Sequence, residues 1–272
     1  MISHPFHLEQ CTAVVTGASS GLGAEFARQL APRATALVLV ARRTGALEAV
    51  KSEVLALRPG LTVHCLVHDL SADAGRAAFL AQLEALGLHP NLLINNAGMG
   101  DYGTFASGDE GRARAQIDLN ITALVSLTHA LIPKLQAPAG ILNVSSLAGV
   151  VPMPDLAVYA ATKAFVTSFS EALAVELHDQ HIVVTALCPG PTPTNFGKNA
   201  RRPGGEDTNR QGQDLLRVPP DFVVREGLRA LCEGRTCIYP GTGVSLAATL
   251  FRLMPRPLLR MILQRRLRQA EK

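Results

Sequence analysis

Residues 12–30 constrain this chain more than any other stretch. A β-branched, apolar run, Thr12–Thr16, leads without a linker into Gly17-Ala18-Ser19-Ser20-Gly21-Leu22-Gly23, and a helical pattern follows from Ala24 to Leu30. Glycine admits positive φ and lets another backbone or a ligand come close. A strand that turns through glycines into a helix presents backbone N–H groups and a positive helix end to an anion. The spacing is Gly-x-x-x-Gly-x-Gly, not the commoner Gly-x-Gly-x-x-Gly. A dinucleotide pyrophosphate is the ligand this arrangement predicts, and an ordinary glycine-rich loop is the plain alternative.

Apolar, strand-like runs recur at 35–41, 61–67, 91–95, 140–144, Ile182–Leu187 and 236–239. Helical patterns separate them at Thr44–Leu57, 72–86, 111–135, 157–180 and Pro220–Cys232. Alternating strands and helices predict right-handed crossovers, and hence an α/β, doubly wound parallel sheet with helices on both faces. With 272 residues, 47% of them hydrophobic, the chain can bury one sizeable core, and no repeat or linker divides it. The absence of Trp fits strands covered on both faces, where Ala, Leu and Val dominate. The expected layout is a single sheet domain at 1–244 and a basic amphipathic extension at 245–272. Segment 191–214, rich in Pro, Gly, Asn and Arg, reads as a mobile loop that closes over a ligand.

Arg42 and Arg43 stand at the end of the second predicted strand, where a dinucleotide fold meets the adenosine ribose. An acid there would select NAD through the 2′-hydroxyl. Two guanidinium groups fit a 2′-phosphate instead, so the cofactor expected is NADP. Solvated arginines at a strand end are the competing reading.

The stretch 145–163 holds the candidate chemistry. Tyr159 and Lys163 lie four apart on a predicted helix and so share a face. An ammonium beside a phenol lowers its pKa from about 10, which would suit Tyr159 to proton exchange near neutral pH. Ser145, at the end of the preceding strand, is expected to aim its hydroxyl at the same substrate oxygen. Taken alone, Tyr-x-x-x-Lys is more often a solvated helix face.

Composition removes several function classes. The five cysteines are odd in number and include no Cys-x-x-Cys, which argues against a disulfide framework or zinc site. The eight histidines show no metal-ligand spacing, so no metal is expected. Residues 252–272 carry seven basic side chains against Glu271, a net +6, which leaves −2 of the total +4 for residues 1–251. A body so close to neutral is not a nucleic-acid surface. The start of the chain lacks the pattern of a signal peptide, and no uninterrupted apolar run reaches about 18 residues, so a cytoplasmic protein without a spanning helix is expected.

Set in order, Thr16 to Gly23, Asp69, Asn95-Asn96-Ala97-Gly98, Asn120, Ser145, Tyr159-x-x-x-Lys163 and Pro189-Gly190 make residues 10–240 resemble the short-chain dehydrogenase/reductase family. The resemblance implies a Rossmann-type fold and an oxidoreductase acting between a carbonyl and a secondary alcohol, with hydride supplied or taken by the nicotinamide. It implies that Gly17, Ser19, Ser20, Gly21, Leu22 and Gly23 cradle pyrophosphate and ribose. Arg42, helped by Arg43 or Ser19, would hold the 2′-phosphate, and Asp69 and Leu70 would flank adenine. Asn96, Ala97 and Gly98 would line the cofactor cleft. Asn120 would hold a relay water, Ser145 would orient the substrate, Tyr159 would be the general acid or base, and Lys163 would bind the ribose. Thr192 and Thr194, after Pro189 and Gly190, would clamp the carboxamide. Here the sequence departs from the family's Pro-Gly-x-Val-x-Thr, because Pro191 and Pro193 each remove an N–H donor.

Met99, Val150, Pro152, Leu156 and Phe196 are expected near the substrate, and their apolar character points to a lipophilic molecule. The alternative in another class is a non-catalytic, NADP-sensing regulatory protein on the same fold. By analogy with the family, helices 111–135 and 157–180 would pair subunits in a homodimer or homotetramer. The extension mixes leucines with arginines and offers two placements: packed on the body or a partner subunit, or lying on an anionic membrane surface.

Overall fold

The computed structural model describes residues 6–202 and 216–270. Seven parallel strands form one sheet in the order β3-β2-β1-β4-β5-β6-β7. They are β1 (Thr12–Thr16), β2 (Ala36–Ala41), β3 (Thr62–Val67), β4 (Leu92–Asn95), β5 (Ala139–Val144), β6 (Ile182–Leu187) and β7 (Cys237–Ile238). Every residue of β2, β4, β5 and β6 is buried. Strands covered on both faces must be apolar throughout, and these sequences supply that.

One face packs α1 (Gly21–Leu30), α2 (Thr44–Leu57) and α8 (Pro220–Cys232) over Phe26, Leu30, Leu47, Val223 and Leu231. The other packs α3 (Asp73–Ala85), α5 (Leu124–Leu131) and α6 (Ala157–Glu176) over Phe79, Leu83, Leu127, Leu131 and Leu173. This is the doubly wound α/β architecture expected from the alternation.

The strand order reverses between β1 and β4, and ligands of such sheets bind outside the carboxyl ends at that point. Side chains fix the two ends together. Thr16 Oγ1 donates to the Ile94 carbonyl at 3.3 Å and accepts from the N–H groups of Asn96 and Ala97 at 3.0 Å each. Asn96 Nδ2 donates back to the carbonyls of Thr16 and Gly17. Behind them, Asn95 Nδ2 donates to Asn143 Oδ1 and Thr128 Oγ1, and Asn143 Nδ2 donates to Ser170 Oγ. This buried polar line ties β4, β5, α5 and α6.

The helix expected over 111–135 is not uniform. It runs as α4 (Glu110–Ile117), a π-helical turn (Asp118–Ala123), α5, and a short 3₁₀ turn (Ile132–Lys134). By length and composition alone the stretch Glu110–Lys134 is apolar enough to cross a membrane, yet Asn120, Leu124, Leu127 and Leu131 on it are buried in the body. Helix α6 stops at Glu176, short of 180, and a 3₁₀ turn over His178–Gln180 follows. Within the expected loop 191–214, residues 196–200 form a short helix, α7 (Phe196–Ala200), and residues 203–214 lie outside the described residues. Helices α9 (Thr242–Leu253) and α10 (Arg256–Ala270) complete the chain.

A Cβ at Gly23 would meet the Gly17 carbonyl oxygen at 2.2 Å, whereas at Gly45 it would meet nothing within 4 Å. Gly23→Ala is expected to lower unfolding free energy by about 1–3 kcal/mol. Gly45→Ala, in α2, is expected to raise it by roughly 0.5–1 kcal/mol. Urea denaturation of both variants checks the pair.

Candidate active site

The glycine turn begins where β1 ends. Gly17 takes φ +65° and lies so close to β4 that a Cβ would sit 2.8 Å from Ala97 Cα. Gly21 takes φ +58°, and α1 starts there after an extended Ser20. The first N–H groups of a helix have no partner within it. Here they open onto the crevice, and the glycines leave the room that side chains would fill. That cradle fits the pyrophosphate of a dinucleotide. Arg43 reaches over the turn, its Nη2 donating to Ser19 Oγ at 3.3 Å and Ser20 Oγ at 3.4 Å. Arg42 turns instead toward Asp69, with Nη1 3.7 Å from Oδ2. Burial would raise the Asp69 pKa, but bonds from the Ser71 hydroxyl and N–H, with Arg42 beside it, hold it below the usual range. Leu70, expected beside Asp69 at the adenine, is 4% exposed with its side chain packed in the core.

The reacting groups gather at the carboxyl end of β5 and along α6. Ser145 is 2% exposed, and its Oγ donates to the Lys163 carbonyl at 2.7 Å while pairing with Thr167 Oγ1. It therefore holds the strand end to α6 and does not face a substrate oxygen, contrary to the sequence expectation. The neighbouring Ser146 takes the expected place. Its hydroxyl lies near enough to the Tyr159 phenol to favour the phenolate, and it accepts from Ala148 N–H at 3.1 Å. Side chains alternate along extended backbone, so adjacent serines must point opposite ways.

Lys163 Nζ donates to the Val144 carbonyl at 2.8 Å and lies 5.7 Å from the Tyr159 ring centre. Burial pushes Lys163 down from 10.5 to about 8. Burial pushes Tyr159 the other way, above its ordinary value, and the Ser146 hydroxyl pulls against that rise. The expected lowering of Tyr159 by Lys163 is not found in this structure: desolvation penalises both charged forms, and the Ser146 hydroxyl is the group that favours the phenolate. Asn120 sits in the π turn, a geometry that often marks functional positions. Its Oδ1 accepts from Met99 N–H, and its Nδ2 donates to the Met99 carbonyl and Thr162 Oγ1. Gly98 leaves the gap between Asn120 and Lys163, where a Cβ would be 3.2 Å from Asn120 Oδ1 and 3.4 Å from Nζ.

The segment after β6 lies across the mouth. Thr194 sits over Gly21, and Phe196 packs its ring 5.3 Å from that of Tyr159. The Thr192 hydroxyl donates to the Gly190 carbonyl, and the Thr194 hydroxyl accepts from Phe196 N–H. Pro189 binds the turn after β5 through Leu147 N–H. A clasp fastens the far end: Asp101, buried, accepts from Arg202 through Nε and Nη2 and from Arg112 Nε at 2.9 Å. Among the expected substrate neighbours, Leu156 is buried at the start of α6, Val150 packs partly into the core, and Pro152 is exposed. Sequence reasoning passed over Ser146, Thr162, Arg112 and Arg202. For Ser146 the strand offered no signal, since β5 is buried along its whole length and shows no alternation that would separate the two serines.

A model of the short chain dehydrogenase family matches residues 11–204. Dehydrogenase/reductase SDR family member 7B of Bos taurus is 32% identical over 234 residues, covering 81% of this chain and 72% of that protein. A short-chain dehydrogenase from Sphingobium yanoikuyae, solved with NADPH, is 32% identical with TM-score 0.77, over 86% of this chain and 89% of that one. A short-chain dehydrogenase/reductase from Burkholderia phymatum, solved with NAD, is 27% identical with TM-score 0.78, over 90% and 94%. The chain belongs to the short-chain dehydrogenase/reductase family of NAD(P)-dependent oxidoreductases that act on alcohol and carbonyl groups.

Proposed function

We propose that this protein is an NADP-preferring reductase of lipophilic ketones, reversible with the matching secondary alcohols. The observation that carries the reaction is the meeting of Ser146, Tyr159 and Lys163 at one end of the sheet. Ser146 would hold the substrate oxygen, and Tyr159 would pass its phenolic proton to that oxygen as charge develops there. A phenol kept protonated by burial is suited to the donor role. Lys163 would return a proton to Tyr159, with Asn120, beside it at Gly98, holding the relay water. A bound nicotinamide dinucleotide would supply the hydride.

Preference for NADP rests on the end of β2, which carries Arg42 and Arg43 and no acid of its own; Arg42 pairs with Asp69 after β3, and Arg43 already spans Ser19 and Ser20. Guanidinium forks suit a 2′-phosphate better than a hydroxyl. The lipophilic substrate rests on Phe196 against Tyr159, with Met99 beside Asn120. Thr192 and Thr194 retain the proposed carboxamide role, after exchanging their present internal bonds.

Tyr159→Phe is expected to abolish turnover while NADPH still binds, measured by nicotinamide fluorescence. Ser146→Ala is expected to lower kcat by roughly 10²–10³. Ser145→Ala should instead lower stability by about 1–3 kcal/mol, since it strips a buried network. Equal kinetic losses in the two serine variants would refute the division of roles. Arg42→Ala with Arg43→Ala is expected to weaken NADPH far more than NADH in the same titration, and equal weakening would remove the 2′-phosphate assignment.

Lys163 also gives a pH signature. Below about pH 8 both folded and unfolded chains hold its proton, so the burial penalty is complete. Between about 8 and 10.5 the unfolded chain binds more protons, and stability rises with pH. Lys163→Met is therefore expected to exceed wild type at pH 7 by up to roughly 3 kcal/mol, and to lose that advantage by pH 10. Urea midpoints at the two pH values read it directly.

A further inference from the structure

We infer that the outer face of α9 and α10 docks on an anionic lipid bilayer. The two helices meet at Met254-Pro255, and each has an anchored side and a bare one. Val244 and Ala248 of α9 are buried, and Val244 lies against Gly190, where a Cβ would meet its Cγ2 at 2.8 Å. Leu259 anchors α10 at 6% exposure. Packing on the body, one of the two placements the sequence allowed, thus accounts for the inner side only.

On the outer side, Leu246, Leu250 and Leu253 are 61%, 55% and 77% exposed. Their spacing of four and three residues sets them on one helix face. Leu258, Met261 and Ile262 repeat this on α10 at 42%, 41% and 44%. Six large apolar side chains left in water over two consecutive helices form a patch that asks for a partner. Arg252, Arg256, Arg260 and Arg265 are exposed around it. No acid occurs from residue 234 to residue 270.

This charge pattern selects the occupant. An isologous contact with a second copy would press the same basic patch against itself, so like charges would face one another. The rest of the chain, at −2, offers a second copy little compensation elsewhere. A bilayer with acidic headgroups satisfies both features at once: leucines enter the acyl boundary, and arginines remain at the phosphates. Since α9 packs beside the turn Leu147–Val150, docking would bring the bilayer within one helix of Ser146.

Flotation of the full-length protein with phosphatidylcholine vesicles, with and without phosphatidylserine, tests this independently of any enzymatic reading. Binding is expected to rise at least about tenfold with phosphatidylserine and to fall in high salt. Each of Arg256→Gln, Arg260→Gln and Arg265→Gln should lower it about fivefold. The triple variant Leu246→Ser, Leu250→Ser, Leu253→Ser should abolish it, and circular dichroism should stay unchanged because all three side chains are exposed. If the protein ignores both kinds of vesicle, the inference is wrong. It is equally wrong if sedimentation velocity shows a dimer that the leucine variant splits, since a second copy then covers the face.

Discussion

The close approach of β1 and β4 at their carboxyl ends is the constraint on which the other features rest. Gly17 must pass within contact distance of Ala97, and Gly23 must sit against the Gly17 carbonyl, so side chains are excluded from both positions. Thr16 and Asn96 then exchange hydrogen bonds that no pairing of strands alone would provide. The result is a rigid notch at the point where the sheet reverses its winding. The helix end of α1, the Gly98 gap and the strand end at Ser145 are all placed relative to it.

Burial and polarity are arranged against each other in the site. Ser145, Thr167, Asn143 and Ser170 are polar groups deep in the body, and each is satisfied by a named partner. A satisfied buried network stiffens what surrounds it. Ser146, Tyr159 and Lys163 stand on that support, with Lys163 Nζ held by the Val144 carbonyl. Desolvation there holds Tyr159 above and Lys163 below its ordinary value, because it penalises the charged form of each.

The segment crossing the mouth is held at both ends by different physics. Near Gly190 it rests on Val244 of α9 by van der Waals contact. Beyond α7 it is tied by Asp101, whose carboxyl stays below the usual range because the Arg202 and Arg112 guanidinium groups outweigh its burial. A buried carboxylate tolerates that position only when paired in this way. Phe196 is thereby kept over Tyr159, and the C-terminal helices are joined mechanically to the same loop.

Much of the fold was readable from the sequence, because a parallel sheet covered on both faces writes itself as apolar runs between helical patterns. The runs now forming β1 and β6, and the glycine turn, could be placed without coordinates, since strand propensity and positive φ are local properties. So could the Tyr159-Lys163 pair, which depends only on helical periodicity. The sequence did not decide which of two adjacent serines faces the crevice, because that depends on how β5 meets α6. Nor did it decide that Leu70 turns inward, that the helix around Asn120 loosens into a π turn, or that Arg112 and Arg202 converge on Asp101 from positions 90 residues apart. Spacing along the chain carries local geometry, whereas burial, proton affinity and long-range pairing arise only when distant segments share one volume.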